Sequence, residues 1–263
     1  MSAVSGAKRV VVKVGTSTLT YENGRLNLRR IDSLVRVLSD LKNSGREILL
    51  VTSGAIGVGA GHLGLKERPR DIGGKQAAAA VGQCELMYTY DKQFSEYGHV
   101  TAQVLLTRDV VEDEGRKKNV VNTLCRLLEY GAVPIINEND TVATEEIEFG
   151  DNDTLSALVA ELVGADALLL LTDIDGLYDA DPHKVPDAKR IETVAAIDDR
   201  LLALAGGAGS KRGTGGMITK LHAAQIAMEA GIPTVILDGS RPARLYDLMD
   251  GQALGTLFLP CQK

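Results

Sequence analysis

Short aliphatic runs alternate along the chain with segments in which apolar residues return every three or four positions. Arg9–Val14, Arg46–Thr52, Val100–Leu106, Val133–Asn137, Ala167–Asp173 and Pro233–Asp238 are rich in Val, Ile and Leu and read as β-strands. They are too apolar to keep one face in water, which predicts a parallel sheet covered on both sides. Between the first two, Leu28, Ile31, Leu34, Val35, Leu38 and Leu41 share one helical face, and Gly45 supplies a stop. Leu155, Leu158, Val159 and Leu162 repeat the period before Gly164, as do Leu221, Ala224, Ile226 and Met228 before Gly231. Strand and helix in alternation predict an α/β fold, a three-layer αβα sandwich around a central, mainly parallel sheet.

Length bounds the number of domains. The 263 residues are enough for one large domain with a substantial core, and no repeat, linker or low-complexity tract cuts them. The one plausible division falls near residue 150, in the acidic stretch TEEIEFGDND, which separates two α/β halves. Its acidic residues Glu145, Glu146 and Glu148 follow no apolar period, so the loop is expected to be mobile without ligand. Glycine is in excess at 28 residues, about 11% against a usual 7%, which suggests tight turns and close backbone approaches.

Charge and cysteine usage exclude several classes. A net charge of −6 would repel a nucleic acid on average. Cys84, Cys125 and Cys261 are odd in number and widely spaced, as reduced cytoplasmic thiols are. No uncharged run reaches the roughly 18 residues that span a bilayer, and the N-terminal residues lack the apolar core of a signal peptide. The expectation is a cytoplasmic protein without nucleic-acid or membrane partners.

Some familiar patterns fail on inspection. GAGHLG (Gly59–Gly64) matches a dinucleotide fingerprint but lies several residues beyond its strand, with no acidic strand end about 20 residues on, so helix-packing glycines explain it better. Gly74-Lys75 is followed by Gln76, which is no Walker loop, and the acidic run Asp173–Gly176 lacks the spacing of a calcium loop.

Other features carry more. Lys13 stands in an otherwise apolar strand, costly unless it emerges at the strand end to meet an anion; the plain alternative is an edge lysine that snorkels to water. The second strand runs into TSGAIGVG, where a helix start offers free N–H groups to an anion. INEND (Ile136–Asp140) and FGDND (Phe149–Asp153) cluster polar groups, although Asp153 would also serve as an ordinary helix N-cap. GTGGMITK (Gly213–Lys220) opens a helix with glycines and places a lysine in its early turns, either a phosphate site or a loop with a solvated lysine. Together, at the carboxyl ends of strands, these are parts that phosphoryl transfer needs: N–H donors, cations around the moving group, and a carboxylate to align them.

VVKVGTS, VTSGAI, INEND, FGDND, LLLLTD-x-x-GLY-x-ADP and GTGGM-x-TK, in this order, resemble the amino acid kinase superfamily and, within it, the glutamate 5-kinases. The resemblance implies that the half up to about residue 150 binds L-glutamate and the half from about 151 binds ATP. It implies transfer of the γ-phosphoryl group to the glutamate side-chain carboxylate, as the first step of proline biosynthesis. Lys13 and Lys220 would neutralise the phosphates from opposite sides, with Asp153 holding them in line. Backbone N–H groups of Gly15 and Gly54 would meet the transferring group, and Ser53, Asp140 and Asn152 would hold glutamate with Asn137 nearby. Adenosine would lie near Thr172, Asp173 and the stretch Thr214, Gly215, Gly216, Met217, Ile218, Thr219 and Lys220. Mg²⁺ would come on the ATP oxygens. The resemblance also implies feedback inhibition by proline and a homo-oligomer, dimer or tetramer. Two departures stand out: the sequence carries no C-terminal PUA domain after GTLFL, and Glu148 stands where some members carry lysine. The alternatives are a sister kinase acting on N-acetylglutamate or aspartate, and a non-catalytic nucleotide-binding member of the fold.

Overall fold

The computed structural model describes residues 2–143, 151–180, 182, 184–185, 187–205 and 216–261. Its strands are β1 Arg9–Val14, β2 Glu47–Val51, β3 Thr101–Leu106, β4 Val133–Glu138, β5 Ala167–Thr172, β6 Leu177–Tyr178, β7 Arg190–Ile191, β8 Thr193–Val194, β9 Thr234–Asp238 and β10 Thr256–Phe258. The helices are α1 Ser2–Ser5, α2 Thr16–Leu19, α3 Leu28–Asn43, α4 Ala55–His62, α5 Ile72–Glu96, α6 Asp109–Glu112, α7 Glu114–Glu129, α8 Asn152–Leu162, α9 Asp199–Ala205, α10 Met217–Glu229 and α11 Arg244–Met249.

All six expected strands form, with ends shifted by a residue or so. With β8 and β10 they build one eight-stranded sheet in the order β3-β4-β2-β1-β5-β9-β10-β8, parallel except where β10 runs against β9. The three-layer sandwich is therefore as the pattern predicts, and the pairing of β1 with β5 carries the sheet continuously across both halves of the chain. Gly150, the expected division, lies outside the described residues, as do Glu145, Glu146 and Glu148. None of the helices among the described residues is long and apolar enough to cross a membrane.

The strand period assigns each β1 residue to a face. Val10, Val12 and Val14 pack with Ile31, Leu34 and Leu38 of α3 and with Leu245 and Leu248 of α11. Val11 points the other way, into Leu155 and Val159 of α8 and Leu221 and Ala224 of α10. By the same alternation Lys13 belongs to the face that α8 and α10 cover.

Two expectations of burial need correction. β3 is the sheet edge and only Leu106 is buried, because no strand among the described residues pairs with its outer side. Leu28, expected on the buried face of α3, is 58% exposed as the first residue of that helix, ahead of the turns that meet the sheet. Two of the GAGHLG glycines, Gly59 and Gly61, do serve packing, whereas Gly64 faces open space. A Cβ on Gly59 would lie 1.8 Å from the carbonyl oxygen of Ala78, and one on Gly82 would lie 1.8 Å from that of Ala55, so α4 and α5 cross in backbone contact.

Candidate active site

β1 is flanked by β2, which follows it in the chain, and by β5, which leads on to β9. Such a switch in the direction of winding leaves a crevice beyond the carboxyl ends of the central strands. A cavity of about 590 Å³ opens there, with Lys13, Gly15, Ser53, Asp140, Thr172 and Lys220 in its wall. Gly54, Asn137, Asn152 and Asp173 also line it, so ten of the residues named from the sequence meet around one space.

Asp153 lies under the wall, fully buried in the first turn of α8. Its Oδ1 is 2.6 Å from Lys13 Nζ and its Oδ2 is 3.1 Å from Lys220 Nζ. Thr219 also donates to Oδ2, at 2.8 Å. Both lysines are only 6% exposed. This rules out the snorkelling edge lysine at position 13, since β1 is central, and the solvated lysine at position 220. Asp153 is not the N-cap either: Asp151 caps α8, accepting from the Thr154 N–H at 2.8 Å.

The electrostatics follow from this packing. Burial alone would push the Asp153 carboxyl up, but Lys13, Lys220 and the Thr219 hydroxyl hold it down to about 2. Burial, with Lys220 nearby, lowers the Lys13 ammonium even though Asp153 supports it. The Asp151 carboxyl is raised, first by burial and also by the neighbouring Asp153. Two cations on one carboxylate leave a surplus positive charge at the cavity floor, suited to an anion.

Glycine geometry shapes the wall on the β2 side. Gly54 precedes α4 with φ +97°, a left-handed conformation, and a Cβ there would sit 3.2 Å from Thr16 Cγ2. A side chain would therefore be strained and would crowd the β1 loop. At the end of β5, the Thr172 hydroxyl donates to Asp173 Oδ1 at 3.1 Å. Asn152 Nδ2 donates to the Thr52 carbonyl and, at 2.6 Å, to Asn137 Oδ1.

Not every named residue reaches the cavity. Gly216 precedes α10 without a side-chain cap, and Met217, Ile218 and Thr219 lie in its first turn, outside the cavity wall. Thr214 and Gly215 lie outside the described residues. Conversely, Arg68, Arg70, Lys75 and Asp151 line the cavity without a role assigned from the sequence. Gly-Lys-Gln at Lys75 is no Walker loop, but a lysine in the first turn of a long helix is itself a signal for an anion.

Residues 8–238 match the amino acid kinase family. The glutamate 5-kinase of Clostridium perfringens is 55% identical over 261 residues, covering 98% of this chain and 97% of the relative. The chain belongs to the amino acid kinase family, among the glutamate 5-kinases. A Listeria monocytogenes glutamate 5-kinase is 54% identical over 97% of this chain and 94% of its own length. Longer members also match: the chain spans 68% of the Thermoanaerobacter glutamate 5-kinase, at 55% identity. Solved structures agree on the fold alone. An isopentenyl phosphate kinase superposes with a TM-score of 0.67 at 21% identity, over 95% of this chain and 99% of that one. UMP kinase from Bacillus anthracis gives 0.61 at 16% identity, over 97% of each. Among amino acid kinases, then, this chain has the shared sheet and a crevice whose floor is the Lys13–Asp153–Lys220 cluster.

Proposed function

We propose that the chain transfers the γ-phosphoryl group of ATP to the side-chain carboxylate of L-glutamate, giving L-glutamyl 5-phosphate and ADP, the first step of proline biosynthesis. The observation that carries this reading is the buried pair of lysines on Asp153 at the floor of the crevice. A glutamate carboxylate oxygen attacks phosphorus as the bond to the β-phosphate oxygen breaks. Both reactants are anions, so the barrier is largely electrostatic, and fixed cations lower it without having to reorganise.

Each residue then has a task. Lys13 and Lys220 neutralise charge on the β- and γ-phosphoryl oxygens. Asp153 keeps the two ammonium groups aligned and takes no proton, since the attacking carboxylate has none to give at neutral pH. Gly15 and Gly54 let the backbone approach the transferring group. Ser53, Asp140 and Asn152 hold the amino acid, with Asn137 behind them. Thr172, Asp173 and the start of α10 face the nucleotide in this reading, with glutamate mainly on the N-terminal half and ATP on the C-terminal half. No group of three acidic, histidine or cysteine side chains among the described residues is placed to hold a metal, and Asp153 is occupied by its lysines. Mg²⁺ would accordingly be carried on the ATP oxygens, supplying further charge neutralisation.

Proline has glutamate's α-carboxylate and a similar nitrogen but no side-chain carboxylate, so it would compete for the site while offering nothing to phosphorylate. The three cysteines are unpaired and suit a reducing compartment such as the cytoplasm. The test is ADP release with glutamate, N-acetylglutamate and aspartate, each with and without proline. Turnover with glutamate, reduced by proline, is expected; turnover with N-acetylglutamate alone would overturn the reading.

A further inference from the structure

A chain of amides behind the cavity fixes which atom of Asn152 meets the substrate. The two ends of a carboxamide look alike in shape, so their orientation must be read from partners that can play only one role. The backbone N–H of Glu138 can only donate, and it reaches Asn137 Oδ1 at 2.9 Å. Asn137 must therefore present its Nδ2 to Gln83 Oε1, 2.8 Å away. The Thr52 carbonyl can only accept, so the group turned toward it is Asn152 Nδ2, whose other hydrogen goes to Asn137 Oδ1 at 2.6 Å. Both Asn152 donors are spent. Its Oδ1 has no partner among the described residues, and Asn152 lines the cavity, as Asp140 does.

Gln83 sits one layer further back. It projects from α5, is 7% exposed and is not part of the cavity wall. Its Nε2 is buried with no partner among the described residues, a costly arrangement, so its polar contribution here is the oxygen that Asn137 uses. Without that oxygen Asn137 would keep a buried donor unpaired and lose one of the contacts that hold its plane, leaving the Glu138 N–H. Asn152, which leans on Asn137 Oδ1 as well as on the Thr52 carbonyl, would be held less firmly in turn.

We propose that Gln83 is a positioning residue for amino-acid recognition: through Asn137 it holds Asn152 with Oδ1 toward the cavity, as an acceptor for the substrate's α-ammonium group. The proposal rests on glutamate being the substrate. An ammonium group brings three donors and a positive charge, which an amide oxygen in a cavity that Asp140 also lines is suited to receive. An N-acetylated α-nitrogen brings a single N–H and a carbonyl oxygen that Oδ1 would repel. The amide chain thus favours a free amino acid over its acylated form.

Glutarate, which is glutamate without the α-amino group, separates positioning from general damage. In the full-length Gln83→Leu variant, KM for glutamate should rise about tenfold, the scale of one well-placed hydrogen bond, while kcat and KM for ATP stay within about twofold. The Ki of glutarate, as a competitive inhibitor against glutamate, should not change, because glutarate has no ammonium group to misplace. Gln83→Glu retains an acceptor oxygen at the same place and should bring KM for glutamate back to within about threefold of wild type. An unchanged KM in Gln83→Leu, or an equal rise in KM for glutamate and Ki for glutarate, would overturn the proposal. Should Gln83→Leu not fold, a tenfold loss of glutamate affinity in a folded Gln83→Glu protein would overturn it too, and wild-type affinity there would support it. A wild-type protein that does not phosphorylate glutamate would instead refute the function proposed above.

Discussion

Asp153→Asn keeps the size of the side chain and removes the charge on which two buried lysines depend. Lys13 and Lys220 contact opposite oxygens of that carboxylate at 2.6 and 3.1 Å. At roughly 3 Å and an effective dielectric constant near 20, each attraction is about 5 kcal/mol before desolvation is counted. The two ammonium groups, held through one carboxylate and hence no more than about 8 Å apart, repel each other by about 2 kcal/mol or more. Removing one member of a buried ion pair typically costs about 3–5 kcal/mol, and in a chain of this length each kcal/mol lowers Tm by about 2–4 °C. The variant should therefore melt roughly 10 °C lower. Burial already lowers the Lys13 ammonium, so it is the group that discharges to relieve the repulsion. Losing one preorganised cation and the alignment of the other should reduce kcat by about 10³-fold or more. ATP supplies the missing negative charge, so it should raise the Tm of Asp153→Asn by more than it raises that of the wild type. Scanning fluorimetry with and without ATP, beside kcat from ADP release, tests all of this. A kcat within tenfold of wild type, or an unchanged Tm, would refute the reasoning.

Lys220→Ala should lower kcat by about 10²-fold or more, as for loss of one transition-state donor, with a measurable fall in Tm because this lysine is buried. The Asp153 carboxyl is held at about 2 against an ordinary 3.8, so its ionisation stabilises the fold by about 2 kcal/mol. That contribution is complete above about pH 4 and is lost as pH falls toward 2; the stability gap between wild type and Asp153→Asn in urea melts should narrow by about 2 kcal/mol toward the acid end. Because the Lys13 ammonium is lowered, kcat/KM should decline on the alkaline side well before an ordinary lysine would titrate, as a pH–rate profile will show. Gly82→Ala would drive a methyl group into the Ala55 carbonyl and separate α4 from α5, so it should destabilise the protein by about 1–3 kcal/mol or prevent folding, read as Tm or soluble yield.

How far the sequence was legible depended on the range of the interaction. β1, β2, β4, β5 and β9 are apolar runs in sequence and are buried on both faces in the sheet, so local pattern sufficed for them. β8 and β10 have two and three residues and owe their strand conformation to partners remote in the chain, which no window around Val194 or Leu257 reveals. Lys13 is visible as a misfit in an apolar strand and Lys220 as a lysine in a glycine-opened helix, but their burial is not. Seen singly, Lys220 passes for a solvated lysine, and only the crossing of α8, α10 and β1 puts its ammonium on a carboxylate. Asp151 and Asp153 are both chemically able to cap a helix beginning at Asn152 or Thr154. The choice between them is made by Lys13, which claims Asp153 from the face of β1 that α8 covers. Gln83 gave no signal of its own, since a glutamine in a helix acquires meaning only through the asparagine it touches.

The central claim is chemical: a phosphoryl group arrives on the glutamate side-chain carboxylate. An acyl phosphate made there is captured by hydroxylamine, which displaces phosphate and leaves a hydroxamate at the carbon that had been activated. Incubation with ATP, Mg²⁺, L-glutamate and hydroxylamine, followed by mass-spectrometric fragmentation of the product, identifies that carbon. The account predicts γ-glutamyl hydroxamate formed in step with ADP by the wild type, and at least about 10³-fold more slowly by Asp153→Asn. Hydroxamate at the α-carboxyl, or ADP release with no hydroxamate, would contradict it.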